Sequence, residues 1–372
     1  MKNFNIFKKE KSNLIVLFCI VGILSMIIYF GINKDKEYTK NVNLSSSKYI
    51  YNENKLKKKD EPIKLNSVIS LSRNVLSMKI LDNNILLFES EKGKTDIVSI
   101  DIKSKEKKLI NSSSAGKVMY YGYRSISPNG EVLLCIQDYK NKPVTSILNL
   151  KENSSKILES RPITILSWVL DSSGFIYTID NSLIYYDIIN GTKREIYKFK
   201  DDEFIHKVEF SSDGTKLYMF MEKLLKNNHT KSILLEYDLK MNKSTIKINS
   251  NNIIDMEVFN NGSILTLEHR DGINRIYINT KNKSEELDIK NVESIYLNNN
   301  RSKLVIITTN NNYEMEIGIY DVKNRSENTK LSKVGNISGI TRIGSISINN
   351  ENQLAYLVRD KLQNLRLYIY DI

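Results

Sequence analysis

Three histidines, two cysteines and a scatter of carboxylates are the raw material for chemistry in these 372 residues. His206 follows Asp201 and Asp202 within one short segment, His269 opens the triplet His269-Arg270-Asp271, and His229 stands in a polar stretch. Imidazole beside carboxylate is a donor set for a divalent metal or for proton transfer, so a metal-dependent hydrolase or lyase is one reading. A second set, Lys223, Lys226, Lys231 and Arg270, has the charge to hold an anionic polymer such as a wall glycan. Its aromatic companions are confined to Tyr139 and Tyr313. The sharper templates are missing. The sequence holds no Gly-x-Ser-x-Gly elbow, no His-Glu-x-x-His, no P-loop and no dinucleotide fingerprint. Asp and His are also ordinary turn residues, and nothing here converges as a nucleophile, a base and a stabilising group would. No cofactor is expected. Cys19 and Cys135 are more than a hundred residues apart, one in an apolar N-terminal run and one in a strand pattern, so neither a disulfide nor a zinc site is expected.

The elements that must carry these residues repeat. One unit is a tight polar turn followed by an apolar run: Asp82-Asn83-Asn84 then ILLF, Ser127-Pro128-Asn129-Gly130 then EVLLCI, Asp171-Ser172-Ser173-Gly174 then FIYTI. It returns at Ser212-Asp213-Gly214, Asn260-Asn261-Gly262, and in weaker form at Asn300-Arg301-Ser302 and Asn350-Glu351-Asn352. Asn-Gly and Asp-Gly supply the positive φ angles that tight hairpins need. The second unit is an alternating strand closing on Asp101, Asn149, Asp187, Asp238, Asn279, Asp321 or Asp371. These pivots are 48, 38, 51, 41, 42 and 50 residues apart, a mean of 45. That period has room for four short strands, the signature of a propeller blade, and sustained helical periodicity is absent. A two-sheet sandwich gives no reason for one hairpin pair to recur seven times. The expected fold is all-β, a seven-bladed β-propeller with six or eight as the neighbouring counts, preceded by one N-terminal transmembrane helix. The repeated Tyr186, Tyr237, Tyr320 and Tyr370 before the pivots, and the lone Trp168, read as packing residues.

The repeats resemble TolB-like and WD-repeat propellers, best at SSDGTKLYMF (211–220) with LLEYDL (234–239), and at HRDGINRIYINT (269–280). The resemblance covers about 75–372 and implies the architecture. The stretch before residue 61 has no room for the separate N-terminal domain of TolB, so no envelope-complex role is carried over. In the usual blade topology the second-to-third-strand loops and the blade-to-blade connections share one face, and all three histidines map there. The seventh unit stops after its third strand, so residues 62–71, PIKLNSVISL, are expected to supply its outer strand and close the ring.

Before the repeats, residues 14–32 run 19 positions without a charge, about 28 Å as a helix. Lys2, Lys8, Lys9 and Lys11 precede the run, which places the N-terminus in the cytoplasm and the rest outside. No alanine precedes position 115, and Phe18 stands before Cys19, so neither a cleaved signal peptide nor a lipoprotein fits. The organisation is therefore a basic tail (1–13), a membrane helix (14–32), a polar tether (33–60) and a propeller (61–372). The net charge of +12 is concentrated at the front, where residues 1–60 hold 12 Lys and 5 acids. The remaining 43 basic and 38 acidic residues are nearly balanced, which argues against nucleic-acid binding. The expected function is a membrane-tethered extracytoplasmic propeller acting as a non-enzymatic protein-interaction or scaffolding module. Its partner would be another envelope or extracytoplasmic protein, met through loops 137–144, 221–231, 268–274, 308–315 and 358–364. The metal-dependent hydrolase or lyase at the channel mouth and the glycan binder remain the alternatives.

Overall fold

The computed structural model describes residues 63–372 except 72–73, 92–93, 114–117, 121–125, 153, 226–228, 251, 282, 311–312, 326–327, 341 and 360–363. The expected membrane helix at 14–32 and the tether at 33–60 lie outside the described residues. Among the described residues no helix is long and apolar enough to cross a membrane.

The described residues form seven four-stranded antiparallel sheets. The first blade runs β2 (Asn74–Ile80), β3 (Asn84–Glu91), β4 (Lys94–Asp101) and β5 (Lys107–Ser113) from the centre outward. Five more follow in the same order, beginning on inner strands β6 (Val118–Tyr120), β10 (Thr164–Trp168), β14 (Glu203–Phe210), β18 (Ile253–Val258) and β22 (Val292–Leu297). The seventh comprises β26 (Ile343–Ile348), β27 (Gln353–Arg359) and β28 (Leu365–Asp371), and its fourth strand is β1 (Lys64–Leu71). Strand β1 pairs antiparallel with β28 from Lys64↔Asp371 to Leu71↔Leu365. The strand expected at 62–71 therefore closes the ring, and β2 packs beside β26 across that seam.

The turn motif explains the uniformity of the first hairpin in each blade. The residue at its tight corner has positive φ at Gly130, Ser172, Gly214, Gly262, Arg301 and Asn352. A side chain then accepts the freed amides: Ser211 Oγ from Lys216 N at 2.9 Å, Asn298 Oδ1 from Lys303 N at 2.9 Å, Asn349 Oδ1 from Gln353 N at 2.8 Å. The polar pivots do the same at the far end of third strands. Asp101 accepts from Lys103 N and Ser104 N at 2.9 and 2.7 Å, and Asp238 from Lys240 N and Met241 N at 2.9 and 2.8 Å. In the seventh blade Asp371 instead accepts from Asn66 of β1, so the pivot fastens the closing strand.

The core lies between blades. Leu217, Met219 and Tyr237 of the fourth blade cluster with Leu166, Ile176 and Leu183 of the third. Tyr237 crosses the ring of Tyr197 edge-on at 6.4 Å, and Tyr186, Tyr237 and Tyr370 are buried, the packing role their repetition implies. Each inner strand except the short β6 also carries a one-residue bulge at the same place, at Leu76, Leu166, His206, Ile254, Glu293 and Gly344. A bulge re-aims the side chains after it. Here those are the residues that line the centre.

Candidate functional site

Six blades converge on a central cavity of about 210 Å³ whose wall includes Lys79, Trp168, Lys207, Glu257, Tyr296 and Arg301. A second space of about 470 Å³ shares Pro128, Leu170 and Asn299 with it and opens among the first-hairpin turns. Its wall carries the amides of Asn83, Asn84, Asn129, Asn299, Asn349 and Asn350 beside the carboxylates of Asp82 and Asp171. The second space is thus the mouth of the first. Both lie at the end of the ring opposite the loops that carry the histidines.

On the wall between the fourth and fifth blades, residues two positions apart on β14 and β18 face one another. Lys207 Nζ lies 3.0 Å from Glu257 Oε1, 3.1 Å from Asp255 Oδ1 and 3.2 Å from Glu209 Oε1, and it donates to the Met256 carbonyl at 2.5 Å. Only 13% of its side chain is exposed. Burial works to strip the proton from Lys207, but the carboxylates, Glu257 foremost, outweigh it and hold its pKa well above the ordinary value. Burial, with the nearby charge of Glu209, pushes the Glu257 carboxyl well up, against the pull of Lys207. Val258 N donates to the remaining Glu209 oxygen at 2.9 Å. This group is a closed rivet between two blades, with its charges spent on one another.

Two other cations on the wall are not so matched. Lys79 of β2 has one hydrogen bond among the described residues, a long 3.5 Å contact to the Ile126 carbonyl. Burial lowers its pKa to about 8 with no acid to offset it. Arg301 is 4% exposed, donates from Nη2 to the Phe210 carbonyl, and leaves Nη1 buried without a partner.

The residues singled out from the sequence fall elsewhere. Asp201, Asp202 and His206 do share one connection at the start of β14, where Lys223 bonds Asp202 at 3.4 Å and His206 Nε2 lies 3.2 Å from Glu222. His206 is the bulge residue of β14, and its ring packs 5.1 Å from that of Phe220. His229 and Lys231 flank the next hairpin, and Lys226 lies outside the described residues. His269 bonds Asn274 at 2.8 Å, Arg270 is held by Glu268 at 2.6 Å over the ring of Tyr277, and Asp271 forms the turn with φ +52°. Lys223 and Arg270 are therefore each engaged by a carboxylate. Among the described residues no group of three His, Cys, Asp or Glu side chains is placed to hold a metal ion. The buried Cys135 thiol is pushed up to about 12, chiefly by burial, which removes it as a nucleophile.

Sequence reasoning missed Lys79, Lys207, Glu209, Asp255, Glu257 and Arg301. A signal existed: Lys207-x-Glu209 and Asp255-x-Glu257 stand at the same offset before successive Asp-Gly and Asn-Gly turns, where an inner strand meets the channel.

No family model matches the sequence, and no curated protein matches it. Solved structures do. The tricorn protease aligns with TM-score 0.56 and 8% identity over 84% of this chain, which spans 34% of that one. An oligogalacturonate lyase in complex with manganese aligns with TM-score 0.54 and 12% identity over 81% of this chain and 82% of that one. A chain of a mitotic checkpoint complex gives TM-score 0.52 and 10% identity over 88% and 96%. TolB from Acinetobacter baumannii also matches, at TM-score 0.44 and 14% identity over 83% and 80%, too loosely for any argument to rest on it. At these identities the likeness is one of fold, a β-propeller.

Proposed function

We propose that this protein is a non-enzymatic recognition module, a propeller tethered to a membrane by its N-terminal segment and displayed on the outer side. Another envelope or extracytoplasmic protein docks on the face formed by the second-to-third-strand hairpins. The observation that carries this reading is where apolar side chains are exposed. Tyr139, Leu224, Leu225 and Tyr313 stand at or beside hairpin tips on that one face, Tyr313 being 86% exposed. Leu76, Phe204 and Ile254, exposed near the starts of inner strands, surround the channel at the same end. Seven of the 13 large apolar residues exposed among the described residues thus share one end of the ring, against two, Ile189 and Met241, in the turns of the opposite end. Exposed apolar clusters with a polar surround are the usual mark of protein contact. The uncharged run at 14–32 and its lysine flank support the tether.

Photo-crosslinker placed at Tyr313 of the full chain in cells should yield a discrete adduct that the Leu224→Ser, Leu225→Ser variant loses. Crosslinker at Asn350, on the other face, should not give it. Equal adducts from both positions would remove the docking face. Protease added to intact protoplasts should degrade the propeller, and a protected full-length chain would remove the tether. Replacing His206, His229 and His269 together by Ala should leave the adduct and any deletion phenotype unchanged.

A further inference from the structure

The corner residue of the first hairpin has positive φ in blades two to seven, and the sequence places glycine there in the second, fourth and fifth. In the sixth blade the same position is Arg301, at φ +60°. A side chain other than Gly or Asn is disfavoured in that region, by roughly 1–2 kcal/mol. This side chain is not a solvated turn residue either. Arg301 lines the central cavity, 4% of the residue is exposed, Nη2 donates to the Phe210 carbonyl and Nη1 has no hydrogen-bond partner among the described residues. A buried guanidinium nitrogen left unsatisfied is costly unless something outside the chain completes it. Lys79, on the same cavity wall, faces no acid among the described residues. The wall's carboxylates do not supply the missing anion, because Glu209, Asp255 and Glu257 are gathered on Lys207.

We infer that the central cavity is a carboxylate-binding site, with Arg301 and Lys79 as its cationic contacts and the asparagine-lined mouth holding what the carboxylate is attached to. The inner space of about 210 Å³ suits one planar anionic group, and guanidinium recognises carboxylate with two parallel donors. The outer 470 Å³ offers amide donors and acceptors together with the carboxylates of Asp82 and Asp171, which suit peptide N–H groups or hydroxyls and disfavour further negative charge. The carboxylate could be that of a free small acid or the C-terminus of a peptide, and the chemistry at Arg301 is the same for both. The inference rests on the reading of this protein as a binding module, but it uses the opposite end of the ring from the protein-docking face.

The test is calorimetric titration of the full chain, purified in mild detergent, with citrate and with a tetrapeptide bearing a free or an amidated C-terminus. Binding of citrate alone assigns a free acid; binding of the free but not the amidated peptide assigns a chain terminus. Either should weaken at least tenfold in Arg301→Gly, which installs the residue its sister turns use, and in Lys79→Gln. Arg301→Gly should melt no lower than the parent chain. Failure of every carboxylate to bind a folded parent chain would overturn the site, as would unchanged binding in Arg301→Gly. So would a lower melting temperature in that variant without any carboxylate binding, since the guanidinium would then be structural. None of these outcomes bears on the crosslink at Tyr313, which fails or stands separately.

Discussion

The two ends of the ring are built on opposite rules. At the first-hairpin end, six of the seven blades repeat one device, a positive-φ corner with a short polar side chain accepting the turn amides, and no large apolar residue is exposed in those turns among the described residues. At the other end the hairpins differ in reach. Strands β15 (Lys216–Leu224) and β16 (Thr230–Asp238) have nine residues each, whereas β11 (Gly174–Ile179) and β12 (Ser182–Asp187) have six. Apolar tips concentrate on this variable end. Uniform turns hold the register of a strand pair. Hairpins freed from that duty can vary in length and composition without disturbing the sheet, and recognition settles on such loops. Between the two ends the Lys207 rivet ties the fourth blade to the fifth.

The comparison breaks first if the rivet is not structural. Lys207→Met should lower stability by about 3–5 kcal/mol in denaturant unfolding, because three carboxyl groups lose their cation. Glu257→Gln should cost less, since Glu209 and Asp255 still face the lysine at 3.2 and 3.1 Å. Equal losses in the two variants would refute the assignment. Next comes the uniform end. Gly130→Ala adds a Cβ that would meet Leu81 Cδ1 at 2.3 Å on top of its positive φ, whereas Gly214→Ala meets nothing within 4 Å. Differential scanning calorimetry should rank them at about 2–4 and about 1–2 kcal/mol.

A smaller effect comes from Lys79. Its pKa is about 8 in the folded chain against an ordinary value of 10.5, so between those values the unfolded state binds more protons and stability rises with pH. The rise should be on the order of 1–2 kcal/mol, with the partial exposure of the side chain discounted, and Lys79→Gln should flatten it. The smallest expected change is at the variable end. Leu224→Ser with Leu225→Ser should alter stability by less than about 0.5 kcal/mol while abolishing the Tyr313 adduct. A large destabilisation there would mean that the tips are core and the two ends are not distinct.

Much of the scaffold could be read from the sequence, because each of its determinants is local. Asp213-Gly214 and Asn261-Gly262 declare their own turns, and the Asp101 and Asp238 pivots sit where a carboxylate can reach the next two or three amides. Even the closing strand was legible, since a seventh unit lacking its fourth strand had only PIKLNSVISL to draw on. The cavity was not. Lys207 meets Glu257 across 50 positions and Arg301 reaches Phe210 across 91, pairings that exist only once blades stand side by side. Alone, HKVEF is an ordinary amphipathic strand and NNNRS a worn turn. The histidines drew attention because imidazole is rare in this chain, yet rarity does not create convergence, and their partners are Glu222 and Asn274 rather than one another.

The pairing of β1 with β28 also sets the order in which the molecule can be completed. The first strand of the ring to leave the ribosome has its sheet partner, among the described residues, in the seventh blade, with Asn66 and Asp371 separated by 305 positions. At about 5–20 residues per second, β1 waits some 15–60 s with both of its edges open. Its composition suits the wait. Alternate positions from Lys64 to Ser70 are exposed in the finished ring, and Lys64, Asn66 and Ser70 among them present charge or amide and hydroxyl groups. A strand of that kind is a poor template for a second copy of itself. Six blades can therefore assemble in sequence before the seventh is complete, and the arrival of β28 releases β1 from waiting.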